Sequence, residues 1–494
     1  MGDRKERDRG CGREARCALA LALPLIAGCA VGPDYAAPEP ELPDVWHMEL
    51  SRGLDGAEGD LRTWWKALDD PILDSLIARA SAGSLDLRVA YARVMEARAQ
   101  RGVARGQWFP GLDANGSYTR GRTTESLAQL QQPPSRDFDR ADLGLDASWE
   151  LDVFGRIRRS TESADASLLA SVEDYRDVLV ILYADVATTY VEVRSLQQRL
   201  RYAVSNAESQ RGTLQLTRDR NEAGLAGDLD VRQAELNLAR TEASIPLLES
   251  QLGQAIHALG VLLGAEPAAL YEVLGPQAPI PSVPEAVAVG IPANLMRQRP
   301  DVRSAERQLA AQTAQIGVAT ADLYPRFSLV GSFAFDALDA AELFSSGSTR
   351  GGIGPTVQWN IFDGGRIRNN IRVEDARTEQ ALARYEQTVL AALQDVEDAL
   401  VGYTRELERR DTLARSVVAA QESAKLVMTL YRTGLTNFQN VLDMERSLFQ
   451  QQDQLAESEG LVVQNLVRLY RVLGGGWDPT ALPMPSEPAM ASQP

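Results

Sequence analysis

Leu143 to Val153 reads LGLDASWELDV, and its alternation decides the fold class. Leu143, Leu145, Ala147, Trp149, Leu151 and Val153 fall on one face of an extended chain; Asp146, Ser148, Glu150 and Asp152 fall on the other. Successive strand side chains point to opposite faces. About 10 residues of apolar-out, polar-in pattern mark an outer-membrane strand, although a sheet covering a soluble sandwich core has the same period. Upstream, Leu112, Ala114, Gly116 and Tyr118 alternate with Asp113, Asn115, Ser117 and Thr119, giving an antiparallel partner that starts after Pro110. The polar stretch Thr123 to Asp139, with Pro133-Pro134, reads as the loop between them.

The hairpin occurs twice. Phe327, Leu329, Gly331, Phe333 and Phe335 form a second apolar face, followed by a Gly/Ser/Asp-rich loop, Asp336 to Gly352. Ile353, Val357, Trp359 and Ile361 then line a returning strand. The flanks repeat as well: WELDVFGRIR (149–158) returns as WNIFDGGRIR (359–368), and DLRVAYARVMEARAQRGVARGQWFP (86–110) as DVRSAERQLAAQTAQIGVATADLYP (301–325). Gly224-Leu225, Val231, Glu235 and Leu238 return as Gly434-Leu435, Val441, Glu445 and Leu448. A unit of roughly 200 residues built twice is a tandem duplication. Aromatics gather where each hairpin enters and leaves: Trp108, Phe109, Trp149 and Phe154, then Tyr324, Trp359 and Phe362. Such girdles sit at membrane interfaces.

Helical periodicity surrounds the hairpins. Helices are predicted over about 80–108 and 295–323 before them, and over Pro-free stretches of about 156–221 and 366–433 after them. At 1.5 Å per residue, some 66 residues reach roughly 100 Å. A Gly turn follows each long stretch, then a shorter helix, about 230–263 and 438–473. Two half-length helices stacked end to end match one long helix. The expectation is a tall helical wall with strands at one end and tight turns at the other. The chain then divides into a first repeat (71–263), a connection (264–294), a second repeat (295–474) and a Pro-rich tail (475–494). Four strands cannot close a membrane barrel, which starts at about 8, and lipid tolerates no open sheet edge. Several copies must combine; three would supply about twelve strands.

Composition narrows the chemistry. Net charge is −17, with no basic stripe for nucleic acid. The only cysteines are Cys11, Cys17 and Cys29, and the only histidines His47 and His257. A disulfide framework, a catalytic thiol, a His- or Cys-based metal site and a cofactor motif are therefore not expected, and neither is enzymatic activity. Residues 1–28 read as an export signal, with basic residues between Arg4 and Arg16 and a short apolar run, Ala18 to Ala27. The run ends in Ile26-Ala27-Gly28-Cys29, which resembles a lipobox whose Cys29 is lipidated; an ordinary signal peptide containing a Cys is the alternative. Residues 29–70 then form the anchor and an extended linker, rich in Pro from Pro33 to Pro43. Ala30, in place of Asp, resembles the second residue of lipoproteins sorted to the outer membrane.

The sequence resembles the TolC-like outer-membrane factors, specifically the NodT-type efflux lipoproteins. The resemblance covers nearly the whole mature chain. It rests on Cys29-Ala30-Val31-Gly32-Pro33-Asp34-Tyr35, the paired Gly-Arg-Ile-Arg segments, and Gly290-Ile291-Pro292 leading to Arg299-Pro300-Asp301-Val302-Arg303-Ser304-Ala305-Glu306. Ile316-Gly317-Val318-Ala319 and Tyr324-Pro325 continue it, with Tyr324 where the family often has Phe. The resemblance implies an α+β membrane protein: a homotrimer with a twelve-stranded barrel in the outer membrane and a long α-helical barrel crossing the periplasm. An equatorial belt would involve 264–294 and the segment from Gly474. Function would be passive, an exit duct supplied by an inner-membrane pump of resistance-nodulation-division type through a periplasmic adaptor (membrane fusion) protein.

Candidate sites follow from that implication. Gly224-Leu225 and Gly434-Leu435 match the family's adaptor-contacting tips. Glycine there lets the chain reverse with positive φ and admits another backbone, and equally it ends helices. Positions matching Asn440 and Asp443 are acidic in the family and face the periplasmic aperture; Asn440 departs from that pattern. Asp230 is either an aperture acid or a helix-start acid favoured by the dipole. Two other readings remain: an exit channel for type I protein secretion, and a periplasmic helical scaffold lipoprotein without a pore.

Overall fold

A computed structural model describes residues 30–57, 59–122 and 137–478. The export signal, Cys29, most of the first hairpin loop and the end of the C-terminal tail lie outside the described residues. The elements are, in order, β1 (Leu54–Asp55), α1 (Pro71–Gly83), α2 (Leu85–Gly106), β2 (Gly111–Arg122), β3 (Asp137–Leu151), α3 (Arg156–Glu222), α4 (Asp228–Leu262) and α5 (Tyr271–Leu274). They continue with β4 (Val287–Ala288), α6 (Pro292–Gln298), α7 (Pro300–Ala321), β5 (Arg326–Ala337), β6 (Thr349–Gln358), α8 (Arg366–Arg432) and α9 (Phe438–Val472). Three helix pairs of the duplication are equal in length: α3 and α8 each have 67 residues, α4 and α9 each have 35, and α2 and α7 each have 22.

The helix ends explain those lengths. Asp152 opens α3 by accepting from the N–H groups of Ile157 and Arg158, both at 2.9 Å. Asp363 opens α8 by accepting from Gly365 and Ile367 at 3.0 and 2.8 Å. A carboxylate there satisfies orphan donors and complements the dipole. Each of the four long helices closes the same way, on a glycine at positive φ: Gly224, Gly264, Gly434 and Gly474. At the first, Gly224 N–H donates to Asn221 O at 2.8 Å and Leu225 N–H to Arg220 O at 2.7 Å, the pair of bonds that defines a Schellman cap.

The chain divides into two compact units. One comprises Met1–Pro38, Met95–Ala170 and Glu306–Arg384; the other comprises Glu39–Val94, Ser171–Ala305 and Tyr385–Pro494. The first holds an antiparallel four-stranded sheet in the order β2-β3-β5-β6. In it Leu145 faces Ala114 on one side and Phe333 on the other. The second is helical apart from the parallel pair β1–β4, which joins Leu54 to Val287. Its interior includes Tyr190, Tyr385, Tyr403 and the fully buried Arg194. That guanidinium donates to Tyr190 Oη, Gln197 Oε1 and Pro276 O at 3.1, 2.8 and 3.0 Å. None of the described helices is long and apolar enough to cross a membrane.

Several elements differ from the sequence-based expectation. The helix expected over 80–108 is two, α1 and α2, parted at Ser84, whose ψ of 129° is extended. The helix expected over 295–323 is parted at Arg299, ψ 117°, because the residue before Pro300 avoids helical backbone. The second hairpin loop is shorter than 336–352, since cross-strand pairing carries β5 to Ala337 and starts β6 at Thr349 despite Gly351 and Gly352. The returning strand stops at Gln358, before Trp359 and Ile361, and β3 stops at Leu151, before Val153.

Candidate functional site

The register separates the sheet into two chemically distinct faces. One carries Leu112, Ala114, Gly116 and Tyr118, then Leu143, Leu145, Ala147, Trp149 and Leu151, then Phe327, Leu329, Phe333 and Phe335, then Ile353 and Val357. The opposite face carries Asp113, Asn115, Asp142, Asp146, Glu150, Ser328, Ser332, Asp336, Arg350 and Thr356. On that face Arg140 pairs with Asp336 at 2.7 Å and Arg350 with Asp142 at 3.2 Å. Asn115 donates to Asp146.

No layer covers the apolar face among the described residues: Leu112 is 69 % exposed, Leu145 46 %, Phe333 50 % and Ile353 79 %. A soluble sandwich would bury these side chains. From Leu151 to Ala141 the band takes up about 34 Å of strand, or roughly 26 Å of height at the tilt of a membrane barrel. Past Tyr118 the same face turns ionic, with Arg120 near Asp139 at 3.5 Å and Arg122 near Asp137 at 3.4 Å. The other margin is aromatic. Trp149 Nε1 donates to Trp108 O at 2.9 Å, and Trp359 Nε1 to Leu323 O at 3.1 Å, one bond made in both repeats. Phe154 stacks on Tyr324 with centroids 4.6 Å apart. The sheet remains open, with β2 and β6 each paired on one side only.

The segment after Cys29 packs beside that aromatic margin. Val31 N–H donates to Phe154 O at 3.1 Å, and the Tyr35 hydroxyl donates to Glu306. Arg159, 4 % exposed, grips the main chain between them. Sequence alone marks Val31 to Tyr35 as a motif and assigns Arg159 no role. The departure of Arg159 from Asn369 across the paired Gly-Arg-Ile-Arg segments was the available signal.

The run from Arg299 to Glu306 proves to be a set of clamps. Arg299 holds Asp301 through two bonds of 3.0 and 2.7 Å, Asp395 at 3.2 Å and Val472 O at 3.1 Å. Arg303 reaches Glu173 at 2.7 Å, and Ser304 reaches Asp174. A neighbouring cleft is lined by Asp177, Asp301, Asp395, Arg299, Arg468 and Arg471. Burial there, with Asp301 nearby, pushes the Asp177 carboxyl up to about 6.

The two tips share one geometry. Gly434 repeats the cap of Gly224, with bonds from Gly434 N–H to Tyr431 O and from Leu435 N–H to Leu430 O of 3.0 and 2.8 Å. A Cβ at either glycine would meet nothing within 4 Å, so it is positive φ, 75° and 76°, that requires glycine within the chain. Leu225 and Leu435 are exposed. Behind them, Leu214, Leu238, Tyr431, Phe438, Val441 and Leu442 form a buried cluster that joins both turns. Arg220 Nη1 donates to Tyr431 O at 3.0 Å and to Arg432 O at 3.3 Å, fastening the end of α3 to that of α8.

The candidate aperture residues are less alike. Asp443 is exposed, accepting from Gln439 Nε2 at 2.9 Å. Asn440, also exposed, donates to Thr436 Oγ1 at 2.8 Å. Asp230 turns back to the Gly227 N–H at 3.4 Å, the contact of a helix-start acid. No group of three or more His, Cys, Asp or Glu suited to a metal ion occurs among the described residues.

Known proteins share this architecture. The sequence matches the profile of the family described as outer membrane efflux protein over residues 76–265 and 291–475. It is 34 % identical to nodulation protein T of Rhizobium leguminosarum bv. trifolii, across 92 % of this chain and 96 % of that protein. It is 33 % identical to the solvent efflux pump outer membrane protein SrpC of Pseudomonas putida, across 92 % of this chain and 97 % of that one. A solved structure of the outer-membrane channel OprN superposes with a TM-score of 0.83 at 38 % identity, covering 91 % of this chain and all of the other.

Proposed function

The chain belongs to the outer membrane efflux protein family, an outer-membrane efflux channel and not an enzyme, and from that premise we propose that it works as a trimeric, lipid-anchored exit duct. Three copies would join edge to edge, β2 of one beside β6 of the next, and close a barrel of about twelve strands. The supporting observation is the exposed apolar face on a sheet with two open edges. In lipid such a sheet is stable only when closed, and its polar face then lines a water path.

The remaining assignments belong to the same reading. Cys29 carries the acyl anchor after removal of residues 1–28, and the repeats 71–263 and 295–474 flank the equatorial connection 264–294. The turns at Gly224-Leu225 and Gly434-Leu435 receive a periplasmic adaptor, which passes substrate from an inner-membrane pump of resistance-nodulation-division type. Asp443 forms an acidic ring at the aperture, with Asn440 and Asp230 nearby in sequence to the same turns. The duct does no work of its own; transport energy enters at the pump.

Mass measurement in detergent, paired with planar-bilayer recording, tests the proposal. Three chains per particle and a stable ohmic current are the expected results. A monomer that passes no current would overturn it.

A further inference from the structure

The geometry points to Arg159 as the socket that seats the segment following the acylated cysteine, so that the anchor emerges at the aromatic margin of the sheet. This rests on the proposed lipidation of Cys29. All three guanidinium nitrogens are committed. Nε donates to Val31 O at 3.2 Å, Nη2 donates to Gly32 O at 3.3 Å and Asp34 Oδ1 at 2.7 Å, and Nη1 donates to Glu162 Oε2 at 2.8 Å. Two main-chain carbonyls captured by one buried cation define a position for a backbone, whatever its side chains.

Glycines make the room. A Cβ on Gly32, at φ +89°, would come within 2.4 Å of Gly317 Cα; one on Gly317 would meet Arg159 Cγ at 2.6 Å; one on Gly155 would meet Ala30 Cα at 2.8 Å. The strap therefore lies backbone to backbone against the start of α3 and the side of α7. Val31 is tied to Phe154 O, and Phe154 stacks on Tyr324, so the strap starts beside the ring pair of the margin.

The duplicated half supplies an internal control. Gly365 has the same positive φ as Gly155, yet the residue matching Arg159 is Asn369, and a Cβ on Gly365 would meet only Asn369 Nδ2, at 3.8 Å. Gly102, the counterpart of Gly317, would meet nothing within 4 Å. Arg159 and the crowded Gly155 belong to the first repeat and the crowded Gly317 to the second; their counterparts Asn369, Gly365 and Gly102, which meet no strap, show neither the arginine nor the crowding. A purely structural role at the start of a long helix would be needed equally in both copies.

The test uses full-length protein spin-labelled through Ala36→Cys and Leu169→Cys, with the intact mass recorded in parallel. One narrow intrachain distance is expected in the parent. Arg159→Gln should lose that narrow distance while keeping the acyl mass on Cys29. Gly32→Val, which expels the strap through Gly317 while leaving the Arg159 side chain in place, should do the same and serves if Arg159→Gln does not assemble. A narrow distance retained in either assembled variant overturns the socket. An unacylated parent that keeps its narrow distance overturns the anchor reading and leaves the strap contact standing.

Discussion

Replacing Leu145 by Arg puts the sidedness of the sheet to a quantitative test. Leu145 lies near the middle of the apolar band, with Ala114 and Phe333 beside it on the same face. An arginine facing lipid at mid-membrane costs about 2–4 kcal/mol per chain. Three copies in a closed barrel raise that to about 6–12 kcal/mol, comparable with the entire 5–15 kcal/mol that holds a typical domain together. Ser332→Arg is the matched control. Ser332 is exposed on the opposite face, directly across from Asp146, where water and a carboxylate can receive the charge. Refolding into lipid vesicles along a urea gradient reads both variants. Leu145→Arg should fail to insert or unfold at far lower urea, and Ser332→Arg should match the parent. Equal loss in both, or loss confined to Ser332→Arg, would refute the assignment of lipid and water to the two faces.

Asp443→Ala should enlarge or reduce single-channel conductance and weaken cation preference, because a three-fold axis would make each carboxylate a ring of like charges; conductance and selectivity equal to the parent would remove Asp443 from the aperture. Gly434→Ala should cost about 1–2 kcal/mol through left-handed backbone alone, as its Cβ would meet no neighbour within the chain. Efflux lost beyond what the melting temperature accounts for would then mark contact with an adaptor. The Asp177 carboxyl sits at about 6, above its ordinary 3.8. Between those values the folded chain binds more protons than the unfolded chain, so stability falls as pH rises through that window. Asp177→Asn should therefore melt higher than the parent at pH 8, by up to about 3 kcal/mol, with the gain gone near pH 4; an equal gain at both would exclude titration of Asp177 as its source.

Periodicity made much of this molecule legible. The bounds of α3, α4, α8 and α9 differ from the reading by two residues at most, since Gly and Asp punctuation is written into the chain at each end. The alternation in β2, β3 and β5 gave the apolar face before any register was known. What escaped depends on partners distant in sequence. Pairing with Phe333 and Phe335 draws Gly351 and Thr349 into β6, where local propensity favours a loop. The β1–β4 pair and the Arg159 strap each join segments more than 100 residues apart, and neither has a local pattern. The split at Arg299 was visible in Arg299-Pro300; the split at Ser84, with Gly83 before it, had a weaker signal.

The equal 67-residue lengths of α3 and α8 have a consequence for how such a chain can change. Adding one residue within α3 would turn everything beyond it by about 100° and advance it by about 1.5 Å. Arg220 would then swing off the carbonyls of Tyr431 and Arg432, and Leu214 out of its cluster. Inserting whole turns into one copy alone would leave the two hairpin tips out of step. Span is thus a joint property of both halves: descendants can grow taller or shorter only by matched insertions or deletions, and an isolated indel in either long helix should be rare among functional variants.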